Sequence, residues 1–294
     1  MYQIYREYMF KVCGHQTMSL SNLDFDYLRH LVRQHSAVAL DAGKEYLVEL
    51  HLSNYVRQIG FDTIANFIEH LKVSKFGDLH IAAIEHLVNY ETTFFRDIYP
   101  FEALKNYILP EIIQRRQSCQ LEKIKIWSAA CSTGQEVYSI AMLIREHFPM
   151  LNEANLQIFA SDFSNKALTR ARNGMYSPLE VRRGLPANLR KKYFHSCSNE
   201  WQIDHELSNI INFHQINLIK PWSTLPFQQV DILFIRNVLI YFDINIKKDI
   251  LYKIKQVLHP EGYLFLGGGE TTLNLDNDFE RVQLGQAITY RLKS

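Results

Sequence analysis

Five short apolar runs set the limits on how this chain can fold: KIKIWSAA (123–130), LQIFASD (156–162), IINFHQIN (210–217), DILFIRN (231–237) and GYLFLGG (262–268). Each reads as a strand, by its length and its apolar, β-favouring content. Stretches with helical spacing lie between them, as in EVYSIAMLIREHF (136–148), SNKALTRARNG (164–174) and NIKKDILYKIKQVL (245–258). Ser164 is placed to cap the second of these and Gly174 to stop it. Strand–helix alternation with nearly continuous apolar strands predicts a largely parallel sheet covered on both faces. FERVQLG and ITYRLK read as a closing hairpin.

The first part of the chain has a different texture. In NLDFDYLRHLVRQHS the residues Phe25, Leu28, Leu31 and Val32 fall three or four apart, one face of a helix, with Ser21 or Asp24 as N-cap. KEYLVELHLSNYVRQIGF repeats the pattern through Leu47, Leu50, Val56 and Ile59, with Gly60 as its stop. FDTIANFIEHLK and FGDLHIAAIEHLVNY are two further helices, and no strand-like alternation precedes residue 120. The polar run RRQSCQLEK marks a boundary near 110–122. The expected organisation is a helical domain over 1–88, a linker and junction helix over 89–122, and an α/β domain over 123–294.

Composition excludes several classes. Lys+Arg 32 against Asp+Glu 31 leaves a formal charge of +1, without the basic excess of a protein that binds through phosphates, so no nucleic-acid partner is expected. No run approaches the ~20 apolar residues that span a bilayer. Arg6, Glu7 and Lys11 interrupt the opening MYQIYREYMFKVCGHQ, which does not read as a signal peptide. Cys13, Cys119, Cys131 and Cys197 form no C-x-x-C pair, so reduced thiols in a cytoplasm are the simplest expectation. No H-E-x-x-H pair is present, the histidines are scattered, and no metal is expected.

A parallel sheet binds its ligand at the carboxyl ends of its strands. After the first strand comes Ala129-Ala130-Cys131-Ser132-Thr133-Gly134-Gln135-Glu136, where small residues admit close approach and a helix start offers N–H groups. Asp162 follows the second strand, where an acid can accept from ribose hydroxyls. Arg236-Asn237 follow the fourth and lead into Tyr241. Spacing alone indicates a nucleoside-binding fold, open between a dinucleotide and S-adenosylmethionine. The single glycine of the first loop, without G-x-G-x-x-G, counts against a dehydrogenase. Cys131 fits the loop by its small size, and Trp127 and Trp222 read as core or pocket wall.

ETTFFRD (91–97), WSAACSTGQEVYS (127–139), FASD (159–162), INL (216–218), RNVLIYFD (236–243) and LHPEGYLFLGGGE (258–270) together closely resemble the chemotaxis protein-glutamate O-methyltransferases, the CheR family. The order and spacing agree over roughly residues 20–292. The resemblance implies a Rossmann-like class I S-adenosylmethionine methyltransferase domain with a seven-stranded, mainly parallel sheet. A small all-helical domain precedes it, and it carries a small β insert near 194–214. It also implies S-adenosyl-L-methionine as donor, S-adenosyl-L-homocysteine as product, and glutamates on the cytoplasmic helices of methyl-accepting chemoreceptors as acceptors. The cofactor contacts carried over are Tyr90, Thr92, Arg96, Ala130, Gly134, Glu136, Asp162, Asn217, Leu218, Arg236 and Asn237. Arg96 and Tyr241 fall where the family places the residues nearest the reacting methyl. A cytoplasmic monomer without membrane insertion is expected.

The chain departs from the family pattern in four places. Many relatives have Asn where Tyr90 stands, and His-Ser where Gly268-Gly269 stand. The helix matching the family's basic receptor-gripping helix, 44–59, sets Lys44 and Arg57 against Glu45 and Glu49, so electrostatic steering from it is weak. The insert lacks the glycine-rich turn of members that bind a receptor tether by strand addition, which predicts tether-independent action. An alternative is a methyltransferase fold without catalysis, serving as a docking module for receptors or kinases.

Overall fold

A computed structural model describes residues 20–293 other than 37, 39, 41, 89, 90, 118–122 and 224. Tyr2, Tyr5, Tyr8, Cys13 and Cys119 lie outside the described residues. The chain forms two compact units, Met1–His35 with Ala39–Val88, and Ser36–Val38 with Asn89–Ser294.

The first unit contains four helices, α1 (Asn22–Ser36), α2 (Glu45–Gln58), α3 (Ile64–Val73) and α4 (Asp78–Leu87). Ser21 caps α1: its hydroxyl accepts from Asp24 N at 3.1 Å and donates to the Asp24 carboxylate at 2.7 Å. Thr63 caps α3 by accepting from Asn66 N at 3.1 Å. Phe25, Leu28, Leu31 and Val32 are all buried, as their spacing predicts. In α2 the spacing misleads. The buried stripe is Val48, Leu52 and Val56, four residues apart, whereas Leu50 is 51% exposed. In an apolar-rich helix several stripes satisfy helical spacing, and only the neighbouring helices decide which one is covered.

In the second unit α5 (Tyr99–Ala103) runs through a π turn at Leu104–Ile108 into α6 (Leu109–Gln117). The strands β1 (Ile124–Ala129), β2 (Leu156–Asp162), β6 (Ile211–Gln215), β7 (Val230–Ile235), β8 (Leu258–Leu266), β9 (Phe279–Leu284) and β10 (Ala287–Leu292) form one sheet in the order β6-β2-β1-β7-β8-β10-β9. Pairs from β6 to β8 are parallel, and β10 is antiparallel to both its neighbours. This is the seven-stranded, mainly parallel sheet that the family resemblance implies, with the five apolar runs as its parallel strands and the closing hairpin at its edge.

Both sheet faces are buried, as continuous apolar strands require. Phe234 stacks on Phe265 at 4.4 Å on one face, while on the other Trp127 meets Trp222 at 5.1 Å and Phe227 at 4.9 Å, edge to face. Helices α7 (Gln135–His147), α8 (Asn165–Asn173) and α12 (Ile244–Val257) are the three crossovers expected from helical spacing. Ser164 caps α8 by accepting from Ala167 N, and Gly174 ends it in the left-handed region.

The β insert differs from its expected bounds. A three-stranded antiparallel sheet, in the order β3-β5-β4, comprises β3 (Met175–Tyr176), β4 (Phe194–Cys197) and β5 (Glu200–Ile203), with α9 (Pro178–Arg182) and α10 (Ala187–Tyr193) between β3 and β4. Residues 211–214, where the expected insert bounds overlap the apolar run 210–217, belong to the main sheet as that run predicts: Ile211 pairs with Ile158 and His214 with Ser161 in parallel register. The short α11 (His205–Asn209) separates the two. A two-residue strand such as β3 has no periodicity of its own to read.

Candidate functional site

In the strand order, β1 and β7 are neighbours from which the chain winds outward in opposite directions, the topological switch point where open α/β sheets bind ligands. The loop leaving β1 is held in an unusual shape. Ala130, Ser132 and Gly134 all have positive φ, at 56°, 51° and 97°. Such backbone costs of order 1 kcal/mol or more at each non-glycine position and persists only where the surroundings impose it. Cys131 N donates to Ser161 O at 2.8 Å, Ser132 N to the Asp162 carboxylate at 2.9 Å, and the Tyr176 hydroxyl to Thr133 O at 2.7 Å. At Gly134 a Cβ would come within 3.1 Å of Ala171, Tyr138 and Tyr176, so the loop packs down on its neighbours at that point.

Asp162, at the end of β2, is 4% exposed. One oxygen accepts from Ser132 N and the other from Ser164 N at 3.0 Å. It ties the β1 loop to the start of α8, in addition to standing where an acid was expected to meet a ribose. Cys131 is buried beneath the loop. Burial, then the charges of Asp162 and Glu136, push its thiol well up, so it is a packing group and not a nucleophile.

Glu136, in the first turn of α7, and Arg236, just past β7, form a buried ion pair at 2.9 Å. The other Glu136 oxygen accepts from Ser128 Oγ at 2.8 Å. The second terminal nitrogen of Arg236 donates to Arg96 O at 3.0 Å and to the Asp97 carboxylate at 2.9 Å. One guanidinium thus joins β7, α7 and the 91–97 segment. Its Nε is buried without a partner. That segment is pinned a second time, where Phe95 N donates to Ser139 Oγ at 2.9 Å. Phe95 and Asp97, on either side of Arg96, have positive φ of 46° and 55°. Arg96 is half-buried, and one of its terminal nitrogens donates to Glu91 O at 3.0 Å.

A residue that sequence reasoning left without a role gathers the backbone that follows β7. The Glu270 carboxylate accepts four backbone N–H groups: Gly267 at 2.6 Å, Asn237 at 2.8 Å, Val238 at 2.9 Å and Ile240 at 3.2 Å. Asn237 has φ 57°. At Gly267 a Cβ would sit 2.7 Å from the Glu270 carboxylate and 2.8 Å from Asn237 N, so only glycine admits this approach. Tyr241, half-buried, ends the short 3-10 turn Leu239–Tyr241 that this clasp positions. Asp97, Ser128 and Ser139 also escaped notice, because a serine or an aspartate carries no signal until its partner is known. Glu270 did carry one, as an acid following three glycines at a strand end. Gly268 and Gly269 border open space.

Thr92 is half-buried, Tyr90 lies outside the described residues, and Asn217 accepts from Ile219 N at 3.2 Å. Leu218 is buried, and its carbonyl accepts from Lys253 Nζ at 2.8 Å.

A Rossmann-like sheet with small residues and left-handed backbone at the switch point, acids at the end of β2 and in α7, and a preceding all-helical unit defines a nucleoside-binding α/β protein with a helical N-terminal domain. The family models described as "CheR methyltransferase, SAM binding domain" and "CheR methyltransferase, all-alpha domain" match residues 90–288 and 23–88, and the chain belongs to this CheR methyltransferase family. It is 36% identical over 281 residues to Chemotaxis protein methyltransferase 1 of Pseudomonas aeruginosa, covering 94% of this chain and 100% of the relative. It is equally similar, at 36% over 281 residues and the same coverage, to Chemotaxis protein methyltransferase Cher2 of Pseudomonas putida. Among solved structures it is similar to the plantazolicin methyltransferase BpumL in complex with SAH, at 12% identity and a TM-score of 0.34, covering 83% of this chain and 62% of that one.

The cofactor is S-adenosyl-L-methionine. The residues present fit it: the orphaned Nε of Arg236 is a buried donor with no protein acceptor, and the β1 loop is built from small residues. Among the described residues no helix is long and apolar enough to cross a membrane.

Proposed function

We propose that this chain methylates glutamate side chains on the cytoplasmic helices of chemoreceptors, as a monomer and without a receptor C-terminal tether. The observation that carries this reading is the placement of Arg96. Its segment is clamped by Arg236 and Ser139, while its own guanidinium is half-buried and spends one donor on Glu91. A carboxylate with pKa ~4.3 is already anionic at neutral pH, so its methylation needs no strong base. It does need the oxygen held in line, and positioning of that kind can supply roughly 7–11 kcal/mol.

When bound, S-adenosylmethionine supplies an electrophilic sulfonium methyl group and leaves as S-adenosyl-L-homocysteine. Asp162 is the candidate for its ribose, Asn217 and Leu218 for the adenine end, and Glu136 and Arg236 for the methionine end. Tyr90, Thr92, Ala130, Gly134 and Asn237 complete the proposed contacts. Arg96 orients the incoming carboxylate through its fork of N–H donors, and the Tyr241 hydroxyl steadies the second oxygen. Neither acts as a base.

Tether independence is supported by the size of the small sheet. Its strands have two, four and four residues, and the turn between β4 and β5 uses Ser198 at φ 53° instead of glycine. Incubation with labelled S-adenosylmethionine and membranes from the same cell tests the proposal. Base-labile label on a receptor band, unchanged when the receptor's last residues are removed, is the expected result. Label in a small molecule, or none despite heat of S-adenosylhomocysteine binding in calorimetry, overturns it.

A further inference from the structure

Residues 165–193 carry eight Lys or Arg and one acid, Glu180, in a chain whose net charge is only +1. The remainder of the chain is therefore acidic overall, and this stretch is its positive pole. It comprises α8, α9, β3 and α10. Several of these cations are occupied within the fold. Arg170 pairs with Glu180 at 2.7 Å, Arg172 donates to Phe213 O at 3.2 Å, Arg190 lies over the Trp201 ring, and Lys192 pairs with Glu146. Arg182 and Arg183, at the end of α9, are exposed.

Their position is set by backbone contact with the candidate site. At Gly184, with φ 82°, a Cβ would lie 2.0 Å from Phe94 O, so the chain after Arg183 runs against the 91–97 segment. Arg183 pairs with the Glu91 carboxylate at 2.7 Å, and Arg96 donates to the Glu91 carbonyl at 3.0 Å. Two guanidiniums thus converge on one residue. The Arg183–Glu91 pair is open to solvent, with side chains 61% and 56% exposed. Exposed pairs are weak and exchange readily for another carboxylate. The first unit offers no comparable field, because Lys44 and Arg57 of the 44–59 helix are balanced by Glu45 and Glu49.

We infer that Arg182 and Arg183 form the docking patch for an acidic segment of the protein substrate, whose flanking carboxylates replace Glu91 on Arg183 as the acceptor glutamate reaches Arg96. The inference rests on the proposed carboxylate acceptor and adds to it the surface that selects the partner. Complementary charge of this kind acts mainly on encounter and register, so it appears in KM and in salt dependence.

A fluorescein-labelled helical peptide with glutamates four residues apart, titrated by anisotropy with S-adenosylhomocysteine saturating, provides the test. Wild type is expected to bind at about 50 mM salt and to weaken as salt rises. Arg182→Glu with Arg183→Glu is expected to bind about tenfold more weakly with a shallower salt slope, and Arg183→Gln to fall between. Affinity for S-adenosylhomocysteine, within about twofold of wild type, reports that the variants fold. Reversal of the other helix, Lys44→Glu with Arg57→Glu, should leave peptide affinity within about twofold. No binding by wild type, or equal binding by the Arg182 and Arg183 variants, overturns the inference. Receptor methylation separates the two readings. Peptide binding lost in the variants without any label in wild-type reactions removes the glutamate acceptor and keeps the patch. Label incorporated by the double variant with unchanged KM removes the patch and keeps the acceptor.

Discussion

Arg236 and Glu136 stand 100 positions apart in the chain and 2.9 Å apart in the fold. The arginine side chain is 2% exposed and the glutamate 13%. A pair this deep gains little net stability over an apolar substitute, but removing Glu136 leaves the buried guanidinium only the half-exposed Asp97 carboxylate as counter-charge, at about 3 kcal/mol. Glu136→Gln is therefore expected to lower urea-unfolding stability by an amount of that order. Combining it with Arg236→Met should recover most of the loss while leaving S-adenosylhomocysteine binding impaired. Recovery of both in the double variant would show that the pair has only a structural part.

Glu270 gives a sharper case, since its carboxylate satisfies four N–H groups from two segments. Glu270→Gln turns one acceptor into a donor that faces donors. Stability is expected to drop by about 1–3 kcal/mol. Turnover should fall by about 10²-fold, because Tyr241 sits at the end of the released turn and a small misplacement is costly. Urea titration and single-turnover methyl transfer measure the two. Unchanged turnover beside reduced stability rejects a positioning role.

For Arg96 and Tyr241 the expectation is a split between chemistry and cofactor binding. Arg96→Ala and Tyr241→Phe should each reduce kcat, while calorimetric affinity for S-adenosylhomocysteine changes less. The opposite ranking would refute the roles proposed for them.

Alkaline pH should loosen the α/β unit. Burial is the main cause that raises the Cys131 thiol and the Tyr138 and Tyr176 phenols above their ordinary values of 9.0, 10.0 and 10.0. Burial first, then its bond to Glu111, pushes Tyr263 up to about 12. All are acids whose folded pKa exceeds the unfolded one, so above pH ~9 the unfolded chain releases protons that the folded chain keeps. Their contribution is complete below those ordinary values and is lost as pH climbs toward the folded ones. The urea midpoint should decline between about pH 8 and pH 10.5, and Cys131→Ala or Tyr138→Phe should flatten the decline. A midpoint that holds steady over that range contradicts this.

Much of the site was legible from strand ends alone, because a parallel sheet brings its carboxyl ends to one edge whatever loops follow. Asp162, Gly134 and Arg236 are candidates on that ground, and the structure places them at or just past the ends of β2, β1 and β7. Leu50 shares a helical spacing with Val56 yet stays exposed, because one helix with two apolar stripes is ambiguous until its neighbours cover one. The insert's C-terminal bound overlapped the apolar run 210–217 because a short strand next to an insert carries the same signal whichever sheet it joins, and the parallel pairing with β2 is a contact of long sequence separation.

By itself, the order of residues determined the alternation of strands and helices, the cap at Ser164, and the loop of small residues after β1, since these follow from local spacing and backbone preference. Only the tertiary structure decided that Arg236 spends its charge on Glu136 and Asp97, that Glu270 gathers four N–H groups, and that Arg183 and Arg96 share Glu91. Hydrogen bonds and ion pairs of that kind join groups that are distant in sequence, and a side chain's partner exists only once the chain has closed around it.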